Sequence, residues 1–250
     1  MMKNVLKKKL KAGEQTFGLW MSIPSPDVTE RLAQYNFDWF VFDNEHSPLN
    51  ELVTQTLLIA TEGTGVTPLF RVTWNDPVLI KRALDIGSHG VVVPWVNNRQ
   101  QADDAVKACM YPPKGIRGCG PRRASYLDPN YLSTANDEVL VIIQIETIDA
   151  VNNIDDIITV DGVDCFFIGP ADLSASMNLL GKSSDPKVQQ AIDKAFEAGK
   201  KYGVPAGIYG GGGIPLEERI KQGWQFQVVG SDFGFVSTSA REILKMCGRL

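Results

Sequence analysis

The stretch "VLVIIQIE", residues 139–146, is apolar for most of its length and closes on a carboxylate. A run this short and this rich in Val and Ile suits a strand buried on both faces, as in a parallel sheet covered by helices. Seven other runs share its character: "FGLWMS" (17–22), "DWFVFD" (38–43), "TPLFRV" (67–72), "GVVVP" (90–94), "DCFFIG" (164–169), "VPAGIY" (204–209) and "FQVVGS" (226–231). Amphipathic stretches lie between them. Asp76 and Pro77 open one and Gly87 closes it; Asp185 and Pro186 open another, which also ends at a glycine; "NRQQADDAVKACMYPP" stops at a double proline. Eight β-then-α units predict an α/β fold, a (β/α)8 TIM barrel in a single domain over residues 1–250. A doubly wound open sheet is disfavoured, because no GxGxxG follows the first strand.

Composition agrees with one globular domain. The chain has 250 residues, 44% hydrophobic and 22% charged, with a net charge of −4. That balance offers no basic face to nucleic acid. The N-terminal run "KNVLKKKLKAG" reads as a solvated first helix. No stretch has the apolar length of a membrane span, no secretory leader precedes the first strand, and four scattered cysteines without a CxxC pair read as reduced thiols in a cytoplasmic protein. The longest non-periodic piece, residues 111–137, reads as a functional loop.

In a (β/α)8 barrel the C-terminal strand ends build the active site. Here they deliver Trp20, then Asp43, Glu45 and His46, then Arg71, Pro94 and Trp95, then Gln144 and Glu146, then Gly169 and Asp172. Bare carboxylates gathered there would repel one another and resist desolvation. A divalent cation removes both problems, and oxygen ligands favour a hard ion such as Mg2+ or Mn2+. Each residue taken alone also has a structural reading. Glu146 and Asp172 suit helix N-termini, His46 suits a satisfied structural histidine, and Arg71 suits an ion pair with Asp43 or Glu45. Their conjunction at one rim favours catalysis. No strand end carries a lysine, which argues against Schiff-base chemistry. His89 falls at the opposite end of the barrel. "GGGG" at 210–213 suits either a phosphate cradle or a flexible loop.

The segments "FDWFVFDNEHSP" (37–48), "RVTWNDPVLIKRALDIG" (71–87), "YPPKGIRG" (111–118), "IIQIET" (142–147) and "FIGPADLS" (167–174) closely resemble the HpcH/HpaI aldolase family. The match runs in order from Phe17 to "VGSDFG" (229–234). The resemblance implies a class II, metal-dependent aldolase of the 4-hydroxy-2-oxoheptanedioate or 2-dehydro-3-deoxyglucarate aldolase type. Such enzymes join pyruvate or hydroxypyruvate to an aldehyde, or cleave the product. It also implies a homo-hexamer with the C-terminal helix exchanged between subunits, and Mg2+, Mn2+ or Co2+ as cofactor. Carried over by position, Glu146 and Asp172 hold the metal, and His46 with Asp43 forms an acid/base dyad. Arg71 binds the oxo-acid oxygens, the backbone of Gly169, Ala171 and Asp172 holds the carboxylate, and Gln144 lies beside the metal. Trp20 stands at the pocket. Asn44 inside "DNEH" and the "YGGGG" loop depart from the pattern. Rival readings are an acyl-CoA lyase of the citrate-lyase-β or malyl-CoA type, and a barrel that binds an oxo acid without turning it over. Arg122 and Arg123 suit either an acidic aldehyde or a surface ion pair.

Overall fold

A computed structural model describes residues 3–250. Eight parallel strands close on themselves in chain order. They are β1 (Thr16–Met21), β2 (Trp39–Asp43), β3 (Thr67–Arg71), β4 (Gly90–Val93), β5 (Leu140–Ile145), β6 (Cys165–Ile168), β7 (Ala206–Tyr209) and β8 (Phe226–Ser231). β8 returns to pair with β1, which leaves no sheet edge. All eight runs expected from the sequence are strands.

Helices α1 (Val5–Lys11), α2 (Pro26–Ala33), α3 (Glu51–Ala60), α4 (Pro77–Asp85), α5 (Arg99–Cys109), α6 (Arg122–Leu127) and α7 (Tyr131–Glu138) precede β5. After β5 come α8 (Ile148–Asn152), α9 (Ile154–Ile158), α10 (Pro170–Ser176), α11 (Pro186–Tyr202), α12 (Leu216–Gln222) and α13 (Asp232–Met246). The local signals act as their chemistry requires. The Asp76 carboxylate accepts the Val78 and Leu79 amides at 2.8 and 3.2 Å, which caps α4. Gly203 ends α11 at a φ of 67°, a left-handed turn that costs glycine nothing. No helix of the described residues is long and apolar enough to cross a membrane.

Side chains alternate between two cores. Trp39, Val41, Leu69, Val92, Ile142, Phe167, Phe226 and Val228 pack inside the barrel, and the other strand face packs against the helices. Trp39 stacks on Phe226 with ring centres 3.8 Å apart. Gly18 makes this possible, because a Cβ there would fall within the Trp39 ring. Each of these side chains contributes roughly 2–3 kcal/mol of burial.

Two expectations are corrected. The first helix is not simply solvated: Leu6 and Leu10 join the barrel interior and close its lower end. Lys7 is buried with it. Its ammonium lies 2.9 Å from Asp164 and donates to the Val139 carbonyl at 2.7 Å. Asn4 caps the helix and also donates to the carbonyls of His89 and Glu138, both at 2.9 Å. His89 thus sits at the closed end, away from the mouth, as its position in the sequence implied. The segment 111–137 is not a bare loop either. It holds α6 and most of α7, fastened by the fully buried Arg117, which reaches Asp85 at 2.7 Å and the Tyr131 hydroxyl at 2.9 Å.

Candidate active site

The strand register sets the mouth. Asp43 ends β2 beside Arg71, which ends β3, so the two are direct neighbours. The Arg71 guanidinium lies 2.7 Å from Asp43 Oδ1 through Nη2 and 3.0 Å through Nε. Its Nη1 lies 2.8 Å from Glu45 Oε2, in ion-pair contact without hydrogen-bond geometry. Trp20 adds its indole N–H to Asp43 at 3.2 Å and lays its ring 4.8 Å from the Arg71 guanidinium carbon. Burial alone would raise the Asp43 carboxyl, yet the hydrogen bond and charge of Arg71 hold it below its ordinary value.

The expected pairing of the Asp43 carboxylate with the His46 ring is not what the structure places there. Asp43 accepts the backbone amides of Glu45 and His46, at 3.0 and 3.2 Å. The tight turn after β2 uses the carboxylate to hold its own backbone. The imidazole is largely exposed, and its carboxylate neighbour is Glu45, at 3.7 Å from Nε2.

Glu146 follows β5 and is 2% exposed. Oε1 accepts the Trp95 amide at 2.7 Å, and Oε2 accepts the Gln144 side-chain amide. Burial pushes its carboxyl up to about 7, opposed by those two donors and reinforced by the charges of Glu45 and Asp172. Burial likewise pushes Glu45 up to about 6, against the pull of Arg71 and with the push of Asp43 and Asp172. Asp172 sits in the first turn of α10, directly after Gly169 caps that helix. A Cβ on Gly169 would stand 3.3 Å from Glu146 Oε2, so glycine keeps that side of the carboxylate open. The three acids that the sequence spreads over residues 45–172 therefore face one another electrostatically.

Trp20, His46, Arg71, Gln144, Gly169, Ala171 and Asp172 line one cavity of about 320 Å3, with Phe167, Pro170, Ser183, Tyr209, Gly212 and Gly213 completing it. Glu146 lies beneath Gly169 and Gln144. The sequence placed Trp95 at the rim but offered no signal for what its backbone does there. It adopts a left-handed φ of 59°, rare for a bulky side chain, and so aims its amide at Glu146. Arg122 and Arg123 lie elsewhere, around a separate outer cavity with Asp85 and Tyr126. Arg123 pairs with Glu62.

Among the described residues, no group of three or more His, Cys, Asp or Glu side chains is arranged to hold a metal ion. The chemistry of the mouth nevertheless suits a hard cation in an open site. Glu146 and Asp172 offer oxygen, and the buried Gln144 Oε1 has no hydrogen-bond partner.

Comparison with known proteins shows the family. The family model for HpcH/HpaI aldolase/citrate lyase matches residues 16–238. A 4-hydroxy-2-oxo-heptane-1,7-dioate aldolase of Salmonella heidelberg (strain SL476) is 40% identical over 99% of this chain and 95% of its own. A hydroxypyruvate/pyruvate aldolase of Sagittula stellata is 42% identical over 95% of each chain. The crystal structure of an HpcH/HpaI aldolase/citrate lyase family protein from Burkholderia cenocepacia J2315 superposes with a TM-score of 0.93, at 33% identity over 98% of this chain and 99% of that one.

Proposed function

Because the chain belongs to the HpcH/HpaI aldolase/citrate lyase family, we propose that it is a class II aldolase. It cleaves a 4-hydroxy-2-oxo acid reversibly to pyruvate or hydroxypyruvate and an aldehyde, a carbon–carbon lyase reaction. The observation that carries this reading is the gathering of Glu45, Glu146 and Asp172 at the Arg71 mouth, with Glu146 pushed up to about 7. Such crowding is costly unless a cation shares the site. Glu146 and Asp172 would hold Mg2+, Mn2+ or Co2+, which when bound supplies a Lewis acid for the oxo-acid carbonyl.

The chain's own residues do the rest. Arg71, fixed by Asp43 and Glu45, presents a positive charge to the oxygen on which negative charge develops. One such donor contributes about 3 kcal/mol to a barrier. The first-turn amides of α10, at Ala171 and Asp172, have no partner within the helix and suit a substrate carboxylate. Gln144 holds Glu146 in place. The exposed His46 imidazole takes and returns the aldol hydroxyl proton. Glu45 is the carboxylate placed to steady it.

The test is hydrogen–deuterium exchange at the pyruvate methyl group, followed by NMR without aldehyde. Exchange is expected to vanish with EDTA and to return with Mg2+, Mn2+ or Co2+. Exchange that persists in EDTA, or a borohydride-trapped pyruvate adduct, would refute the metal-assisted reading. Exchange with an acyl-CoA and none with pyruvate would move the enzyme to the lyase branch.

The exchange of α13 between subunits of a hexamer is part of the same proposal. Apart from Asp232, α13 buries no residue. Phe233, Val236, Ile243, Leu244 and Met246 stand exposed, an apolar surface large enough to need a partner. Replacing Ile243 and Leu244 together by aspartate is expected to reduce the particle to monomers by light scattering. An unchanged mass would exclude α13 from the assembly.

A further inference from the structure

We infer that Arg219 is a positioning residue for the aldehyde: it fixes the Gly210–Gly213 loop and Ser183 as the acceptor-side wall of the cavity and thereby sets which aldehydes are accepted. This rests on the aldolase reading. Once Arg71, Gln144 and the Gly169–Asp172 segment are assigned to the oxo acid, the remaining cavity lining includes Tyr209, Ser183, Gly212 and Gly213.

The glycine run is a shaped turn and not slack chain. Gly210, Gly212 and Gly213 have φ of 55°, 59° and 98°. These values penalise any residue with a Cβ. A Cβ on Gly212 would press on the Ile208 side chain, and one on Gly213 on the Ser183 carbonyl, each at 2.5 Å. The wall is therefore built of backbone, and its position depends on what holds its carbonyls.

Three side chains hold them. Gln227 Nε2 donates to the Gly210 carbonyl at 2.6 Å. Arg219 Nε donates to the Gly211 carbonyl at 3.1 Å. Gln189 Nε2 donates to Gly212 at 2.7 Å and to the Ser183 carbonyl at 2.6 Å, which joins the two loops that face the cavity. The Gln189 oxygen in turn accepts from Arg219 Nη2. Arg219 is 0% exposed, and the carboxylate in ion-pair contact with it, Asp193, is 3.4 Å away and mostly in solvent. Its Nη1 is further held by Gln222 at 2.9 Å. A buried guanidinium that lacks a close buried counter-charge is costly. Here its donors are directed at the loop and at the glutamine that ties the loop to Ser183.

The experiment compares Gln189→Leu and Arg219→Lys with the wild type in two assays on the metal-loaded enzyme. The first is deuterium exchange into pyruvate without aldehyde. The second is kcat and KM for glycolaldehyde, lactaldehyde and succinic semialdehyde with pyruvate. Exchange is expected to stay within about twofold of wild type, while KM for at least one aldehyde rises about tenfold or more and the order of preference changes. Gln189 is half-buried, so Gln189→Leu decides the matter if Arg219→Lys fails to fold. Unchanged aldehyde KM values and order, with exchange intact, would overturn the inference. Parallel loss of exchange and aldehyde turnover in folded Gln189→Leu would also overturn it, because the strut would then be serving the barrel as a whole. Absence of exchange in the wild type would instead strike the aldolase reading itself.

Discussion

Glu146→Gln is expected to lower kcat for aldol cleavage by about 10²–10³-fold while making the metal-free protein more stable at pH 8. The two effects share one cause. The carboxylate is buried beside Glu45 and Asp172, and its carboxyl is raised from 4.5 to about 7. A carboxyl whose folded pKa lies above its unfolded value favours folding fully below the unfolded pKa. That contribution is lost as pH rises through the folded one. The metal-free enzyme therefore loses roughly 3 kcal/mol from this residue between pH 4.5 and pH 8. Glutamine abolishes that slope. Its amide keeps the shape, still accepts the Trp95 amide, and meets the unpaired Gln144 Oε1 if that amide turns over. At about 2–4 °C per kcal/mol, the melting temperature in EDTA should rise by several degrees at pH 8 and little at pH 5. Full activity in the variant, or a wild-type melt indifferent to Glu146 at pH 8, would defeat the assignment.

Asp164→Ala is expected to cost about 3–5 kcal/mol of folding free energy with pyruvate exchange unimpaired. Lys7 and Asp164 are each 8% exposed and 2.9 Å apart. Asp164 also accepts the Val141 amide at 3.0 Å. Alanine leaves the Lys7 ammonium without a counter-charge, held only by the Val139 carbonyl, and the Val141 amide without its side-chain acceptor, in a dry setting. The double change Lys7→Met with Asp164→Leu should recover most of the loss, because both charges leave together. Urea denaturation reads both variants. A single variant within about 1 kcal/mol of wild type would show that water reaches Lys7.

The strands were legible because a sheet covered on both faces demands apolar runs, and "VLVIIQIE" or "CFFI" leave little else to be. The caps at Asp76 and Asp185 were legible because aspartate before proline has one good use at a helix start. Which acids meet was legible only through topology: once eight strands were counted, Glu45, Glu146 and Asp172 had to share a rim. The turn after β2 was not. Whether Asp43 faces the His46 ring or its backbone depends on a few degrees of main-chain rotation that no residue type announces. The lysines of α1 misled for a similar reason. "KKKLK" looks like a solvated face, and only the depth of the barrel floor shows that Lys7 points inward. Trp95 was placed at the rim by its strand, but the part its backbone amide plays gave no sign, since tryptophan is the last residue expected at a positive φ.

Helix α1 imposes an order on biogenesis. Asn4 fastens to Glu138, and Lys7 to Val139 and Asp164. As the chain leaves the ribosome, its first turn must wait for more than half the polypeptide before its docking site exists. The floor is therefore laid late, although its residues are made first. A cargo fused ahead of residue 4 would hang beneath the barrel and leave the opposite opening free for substrate.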